Sequence, residues 1–210
     1  MLKDTWYFDC QCTRCVDNQE HILTSIKCPS CSEILSIFGE QPYKDPVTQV
    51  IICPKCLTTC SKESVFEAVN AMRFIDEVLE KDELSSMNNE TARIFLQELL
   101  ERFTPFLSHT NVYLCRILQA LIPRIDPEEH ETLLQYHLNA LDCMKVCYPH
   151  NHPALAFHLM NIGIFYTRLK RDEDARNYLT QSQNMLDFAL GKDHPMSCAN
   201  RAELEKVQGV

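Results

Sequence analysis

From Ser61 onward, apolar residues return every three or four positions, the spacing of a helix with one buried face. Val65, Val69, Met72, Ile75 and Leu79, with Phe66, predict a helix from Ser61 to about Leu79. Asn89 or Thr91 opens the next, with Ile94, Phe95, Leu99 and Phe103 as its stripe. Asn111 caps a third, over Leu114, Ile117, Leu118 and Leu121. Asp126-Pro127-Glu128-Glu129 joins a capping carboxylate, a proline at the first helical position and acids in the first turn. It predicts a helix from there to about Cys147. Pro153 opens a helix through Arg168, Asp172 opens one that Gly191 stops after Leu190, and a last helix starts near Pro195.

The final helices repeat. Tyr148-Pro149-His150-Asn151-His152-Pro153 and Leu190-Gly191-Lys192-Asp193-His194-Pro195 share a His-Pro end, with two helices between them. A helix–turn–helix unit at fixed period is the signature of a helical solenoid. Asn161-Ile162-Gly163-Ile164-Phe165-Tyr166, then Glu173-Asp174-Ala175-Arg176 and Tyr178-Leu179, resemble a tetratricopeptide unit of the long, kinesin-light-chain-like kind. In such a unit the small Gly163 and Ala175 fall where paired helices approach closely.

Residues 1–60 follow no such period. They are broken by Pro29, Gly39, Pro42, Pro46 and Pro54, and Val50-Ile51-Ile52 reads as a short strand running into Cys53. A stretch that buries this little apolar surface needs a staple. Of the chain's twelve cysteines, eight lie here: Cys10, Cys12, Cys15, Cys28, Cys31, Cys53, Cys56 and Cys60. Cys28-Pro29-Ser30-Cys31 and Cys53-Pro54-Lys55-Cys56 are two C-P-x-C knuckles, each able to deliver two sulfurs to one tetrahedral zinc. Cys10-Gln11-Cys12-Thr13-Arg14-Cys15 supplies three further thiolates, a set that needs a fourth ligand, from Cys60, His21 or another segment. The expected organisation is a zinc-binding region over 1–60 and a helical domain over 61–210.

The opening residues Met1-Leu2-Lys3-Asp4-Thr5-Trp6 form no secretory signal, so a reducing cytoplasmic or nuclear setting is expected, with thiols kept as thiols or ligands. The chain has no apolar run long enough to span a bilayer, and no membrane partner is expected. A net charge of −9 disfavours a broad nucleic-acid-binding face and points to protein or peptide partners, basic ones by charge. With four glycines spread as Gly39, Gly163, Gly191 and Gly209, no phosphate-cradling loop can form. His150 and His152 read as turn and capping residues. His130 and His137 read as packing or solvent-facing positions. Cys115, Cys143, Cys147 and Cys198 read as small buried apolar groups.

Trp6-Tyr7-Phe8-Asp9 before C-x-C-x-x-C resembles the post-SET motif of the SMYD family, the SET and MYND domain protein-lysine methyltransferases. The knuckle pair resembles an insertion in the divergent fourth branch of that family. Thr110-Asn111-Val112-Tyr113-Leu114 and Gly191-Lys192-Asp193-His194-Pro195 resemble its helical C-terminal region. The resemblance implies that Cys10, Cys12 and Cys15 are zinc ligands, that Phe8 stacks on the adenine of S-adenosylmethionine, and that Trp6 stands where a tyrosine lines the substrate-lysine channel. The larger tryptophan, without a hydroxyl, departs from that pattern. The family's SET core, with its Asn-His-Ser-Cys segment, and its MYND finger have no counterpart in this sequence. The expectation is a mainly α chain of about seven antiparallel helices in a tetratricopeptide-like superhelix behind an irregular zinc segment. Such a chain acts as the interaction portion of a methyltransferase and is not catalytic alone; the alternative is a stand-alone tetratricopeptide-like adaptor with a structural zinc site.

Overall fold

The computed structural model describes residues 19–37, 50–80 and 83–208. The fold is mainly α, with an irregular cysteine-bearing segment followed by antiparallel helices. A 3₁₀ turn, Gln19–Thr24, leads into two two-stranded ribbons: β1 (Ile26–Lys27) with β2 (Ile34–Leu35), and β3 (Ile51–Ile52) with β4 (Thr59–Cys60). The helices are α1 (Lys62–Glu80), the single turn α2 (Glu83–Ser86), α3 (Asn89–Phe103), α4 (Val112–Leu121), α5 (His130–Cys147), α6 (Pro153–Arg168), α7 (Asp172–Ala189) and α8 (Pro195–Gln208). Each long helix from α3 onward packs on its successor, and α1 closes against α4.

Capping chemistry sets most boundaries. Asn88 Oδ1 accepts from the Thr91 amide at 2.8 Å, and Asn111 Oδ1 from Tyr113 at 3.0 Å. The two His-Pro ends do the same job twice: His152 Nδ1 accepts from the Ala154 amide at 3.1 Å, and His194 Nδ1 from Met196 at 3.2 Å. The sequence echo is therefore a repeated cap, with proline at the first helical position. One boundary differs from expectation. Asp126 Oδ1 binds the Glu128 amide at 2.9 Å, but this closes a separate turn, and α5 begins only at His130. The Asx bond competed with the helix instead of opening it.

Gly163 sits where α6 meets α7. A Cβ there would lie 2.6 Å from Leu179 Cγ and 3.2 Å from the Leu179 amide nitrogen, so only glycine allows this approach. Lys170, at φ 57°, and Gly191, at φ 94°, turn the chain after α6 and α7.

Ile26, Leu35, Ile37 and Cys60 of the cysteine-bearing segment share one apolar core with Val65, Ala68 and Met72 of α1 and with Leu96, Leu99 and Phe103 of α3. A second core fills the α5–α8 layers around Leu134, Ala156, Ile162, Leu179 and Leu186. Phe66 and Ile94, read as stripe residues, instead face outward, 53% and 48% exposed.

Candidate metal centre

Cys28-Pro29-Ser30-Cys31 and Cys53-Pro54-Lys55-Cys56 form two copies of one turn. In each, the first cysteine's amide donates across the ribbon: Cys28 N to Glu33 O at 2.8 Å, Cys53 N to Thr58 O at 2.9 Å. In each, the residue after the second cysteine returns a bond to the first cysteine's carbonyl: Ser32 N to Cys28 O at 2.9 Å, Leu57 N to Cys53 O at 3.0 Å. That residue must adopt positive φ, 59° at Ser32 and 60° at Leu57. The left-handed bend turns both sulfurs of a knuckle to one side.

The two turns face each other. Cys28 Sγ lies 3.5 Å from Cys56 Sγ, and Cys31 Sγ 3.6 Å from Cys53 Sγ. All four sulfurs lie within 4.8 Å of one another. A tetrahedral zinc with Zn–S near 2.3 Å has sulfur–sulfur edges of about 3.8 Å, so this set fits the ion in donor type, number and spacing. Among the described residues it is the one group of three or more metal-ligating side chains. Cys28 and Cys53 are buried, while Cys56 is exposed. Thr58 Oγ1 donates to Ser30 Oγ at 3.1 Å, and Lys55 Nζ meets Glu33 at 3.2 Å, tying one knuckle to the other. Such solvent-facing ties add little energy but hold register.

Four thiols this close cannot all ionise alike without a cation. Cys56 is drawn down to about 6 by the side chain and amide of Thr58 and by the neighbouring thiols. At Cys31 the Glu33 amide favours the thiolate, but burial and the other three sulfurs push the group up to about 12. A doubly charged metal would relieve that conflict by displacing the protons.

Cys60 lies beside the four but outside the set. It is buried on β4, and burial together with the charges of Cys28, Cys53 and Cys56 raises its pKa. Trp6, Phe8, Cys10, Cys12 and Cys15 lie outside the described residues. Cys198, expected to be buried, is exposed, its thiol 3.7 Å from the Lys192 carbonyl.

What seats this centre on the helices is a buried polar knot that periodicity could not show. Asn111, besides capping α4, donates from Nδ2 to the Ser25 carbonyl at 2.9 Å. Ser25 Oγ meets Ser108 Oγ at 2.7 Å, which meets Thr110 Oγ1 at 2.7 Å. Lys27 N donates to Phe106 O at 2.7 Å, and Ser108 N to Ser25 O at 3.3 Å, so β1 continues onto the α3–α4 loop. Beside it, an open groove of about 480 Å³ is lined by Phe74, Phe103, Phe106, Glu67 and Arg102.

Comparison with known proteins gives the chain its context. No protein-family model matches it. It is 22% identical over 206 residues to N-lysine methyltransferase SMYD2-A of Danio rerio. The chain is similar to a SMYD protein from end to end. The match takes in 98% of this chain but 41% of that relative, so the chain spans about two fifths of its length. The alignment runs through both the cysteine-bearing segment and the helices. Among the described residues no helix is long and apolar enough to cross a membrane.

Proposed function

We propose that this chain is the zinc-bearing, protein-binding C-terminal portion of a SMYD-type protein-lysine methyltransferase. The similarity to SMYD2-A, continuous across cysteine segment and helices, carries the reading. In it, residues 1–60 hold metal and 61–210 form the interaction surface. Cys28, Cys31, Cys53 and Cys56 hold one zinc, supported by their spacing. Cys10, Cys12 and Cys15 hold a second, completed by a ligand from the SET portion of a longer protein. The knuckle pair marks the divergent branch of the family. Zinc here is structural: four thiolates leave no open position for substrate or water.

Methyl transfer, with Phe8 against the adenine of S-adenosylmethionine and Trp6 at the substrate-lysine channel, belongs to the longer protein. The helical array's contribution is a surface for a protein or peptide, in the cytoplasm or nucleus. The phenylalanine-lined groove, with Glu67 and Arg102 both in its lining, supports a ligand with apolar side chains. The net charge of −9 favours a basic partner.

The test is zinc stoichiometry of the purified chain, with Cys28→Ser and Cys12→Ser variants. One zinc, lost in Cys28→Ser and kept in Cys12→Ser, is the expected result. Two zincs would mean an internal group such as Cys60 or His21 completes the first site, favouring a self-sufficient adaptor. No zinc, or methylation by the purified chain with S-adenosylmethionine, would overturn the reading.

A further inference from the structure

The open groove between α1 and α3 has a lining that specifies what fits it. Along α1, Ser64, Glu67, Ala71 and Phe74 recur at steps of three and four residues, so they share one face of the helix. That face runs about 15 Å, or about three turns. The other wall is Arg102 and Phe103 at the end of α3, with Phe106 just beyond it. The Phe103 ring meets Phe74 edge-on at 6.3 Å between centres and Phe106 at 5.7 Å, which makes a continuous aromatic surface beside the small Ala71. Past Glu67 and Phe106 the groove runs on into a recess of about 150 Å³ against Lys27, Pro29 and Cys60. We propose that this groove docks an amphipathic helix of a partner protein, which lays an apolar stripe on the phenylalanines and brings one basic side chain to Glu67 and one acidic side chain to Arg102. The proposal rests on the reading of the helical array as a protein-binding surface and adds the partner's secondary structure and charge pattern.

Phe74 is 42% exposed although aromatic company lies beside it, so its open side is the area a partner covers. Glu67 and Arg102 are both exposed, and neither has an ion-pair partner among the described residues. An apolar ligand alone would strip water from two unpaired charges of opposite sign; a ligand that carries the complementary pair offsets that cost and gains specificity. The Arg102 guanidinium is already placed, 5.5 Å above the centre of the Phe103 ring. The backbone decides between helix and strand. In the main groove every lining residue except Phe106 is helical, and the Phe106 carbonyl is taken by the Lys27 amide at 2.7 Å. No free edge is left there for an extended peptide to pair with, whereas a helix satisfies its own backbone and reads a groove through side chains at i, i+3, i+4 and i+7.

The experiment uses the purified whole chain, its zinc content measured in the same sample, and synthetic fluorescein-labelled helical peptides about three to four turns long. Each carries leucines at i, i+3, i+4 and i+7 on an alanine–glutamine background, with a lysine at one end of the stripe and a glutamate at the other. The two charge orders are both made, and a peptide with the same residues rearranged to break the stripe is the control. By fluorescence anisotropy, one charge order should bind about tenfold tighter than the control, and Phe74→Ala should weaken it about tenfold. Glu67→Lys combined with Arg102→Glu, two exposed changes that should leave helicity and zinc content unaltered, should invert the preference between the two charge orders. Binding no better than the control, wild-type affinity in Phe74→Ala, or an unchanged preference in the double variant would overturn the proposal. So would a dimer of the chain that Phe74→Ala dissolves, because the groove would then be filled by a second copy. Inverted preference in a chain that holds no zinc would support the docking groove while sinking the zinc reading, and zinc without peptide binding would do the reverse.

Discussion

Acid should loosen the α5–α6 interface, because two histidines are buried there as a neutral pair. His158 Nε2–H donates to the His137 carbonyl at 2.8 Å, which fixes its tautomer and leaves Nδ1 as an acceptor. His137 Nδ1–H then donates to that atom at 3.2 Å. Both residues are over nine-tenths buried; Phe165 lies against the His137 ring, and His130 against Phe165. Burial, and then the neighbouring His158, push His137 down from 6.5 to about 4, and burial lowers His158 as well. Between those values the unfolded chain binds more protons than the native one, so stability falls as pH falls. Going from pH 7 to pH 5 crosses about 1.5 units of that window, so His137 alone should cost about 2 kcal/mol. Zinc thiolates also protonate in acid, so the measurement must be a difference. His137→Asn keeps a donor opposite His158 Nδ1 but does not titrate. Urea unfolding followed by circular dichroism, at both pH values with saturating zinc, should show the variant losing about 2 kcal/mol less than the wild type. Losses equal within 0.5 kcal/mol, about the error of such a comparison, would refute the neutral buried pair.

Three further outcomes follow from single residues. Leu57 is 76% exposed and held at φ 60°, so Leu57→Gly should stabilise the chain by up to about 1 kcal/mol in chemical denaturation, while Leu57→Val should weaken zinc retention. Asn111→Ala removes a helix cap and leaves the buried Ser25 carbonyl without its donor; a loss of about 3 kcal/mol is expected, and one below 1 kcal/mol would deny the polar knot its role. Gly163→Ala gains helix propensity of about 1 kcal/mol but drives a methyl into Leu179, and overpacking of about 1–3 kcal/mol should win, lowering the melting temperature.

Most of the helical framework was legible in the residues themselves, because its signals are local. Asn111, His152 and His194 announce helix starts with side chains that reach two residues along the chain, and Gly191 announces a stop through its own backbone. The spacing of two C-P-x-C knuckles likewise named four sulfurs that come together, since each turn is closed by its own amides. Asp126 misled for the same reason: its local bond was real, but it made a turn ahead of α5.

What the residues alone could not decide depends on which surfaces meet. Phe66 and Ile94 lie within three or four residues of the helical stripe yet face outward, because α1 and α3 each have one packed side. Asn111 is a cap by sequence, and a tether for the cysteine segment only because Ser25 arrives beside it. His137 and His158 are unremarkable until α5 and α6 pack and dehydrate them together. Cys115 of α4 and Cys143 of α5 share one core only across a helix–helix seam. Periodicity and turn chemistry act within a few residues and can be read from order alone. Burial, which sets the charge and chemistry of a side chain, is a property of its neighbours in space, and only the tertiary structure supplies those.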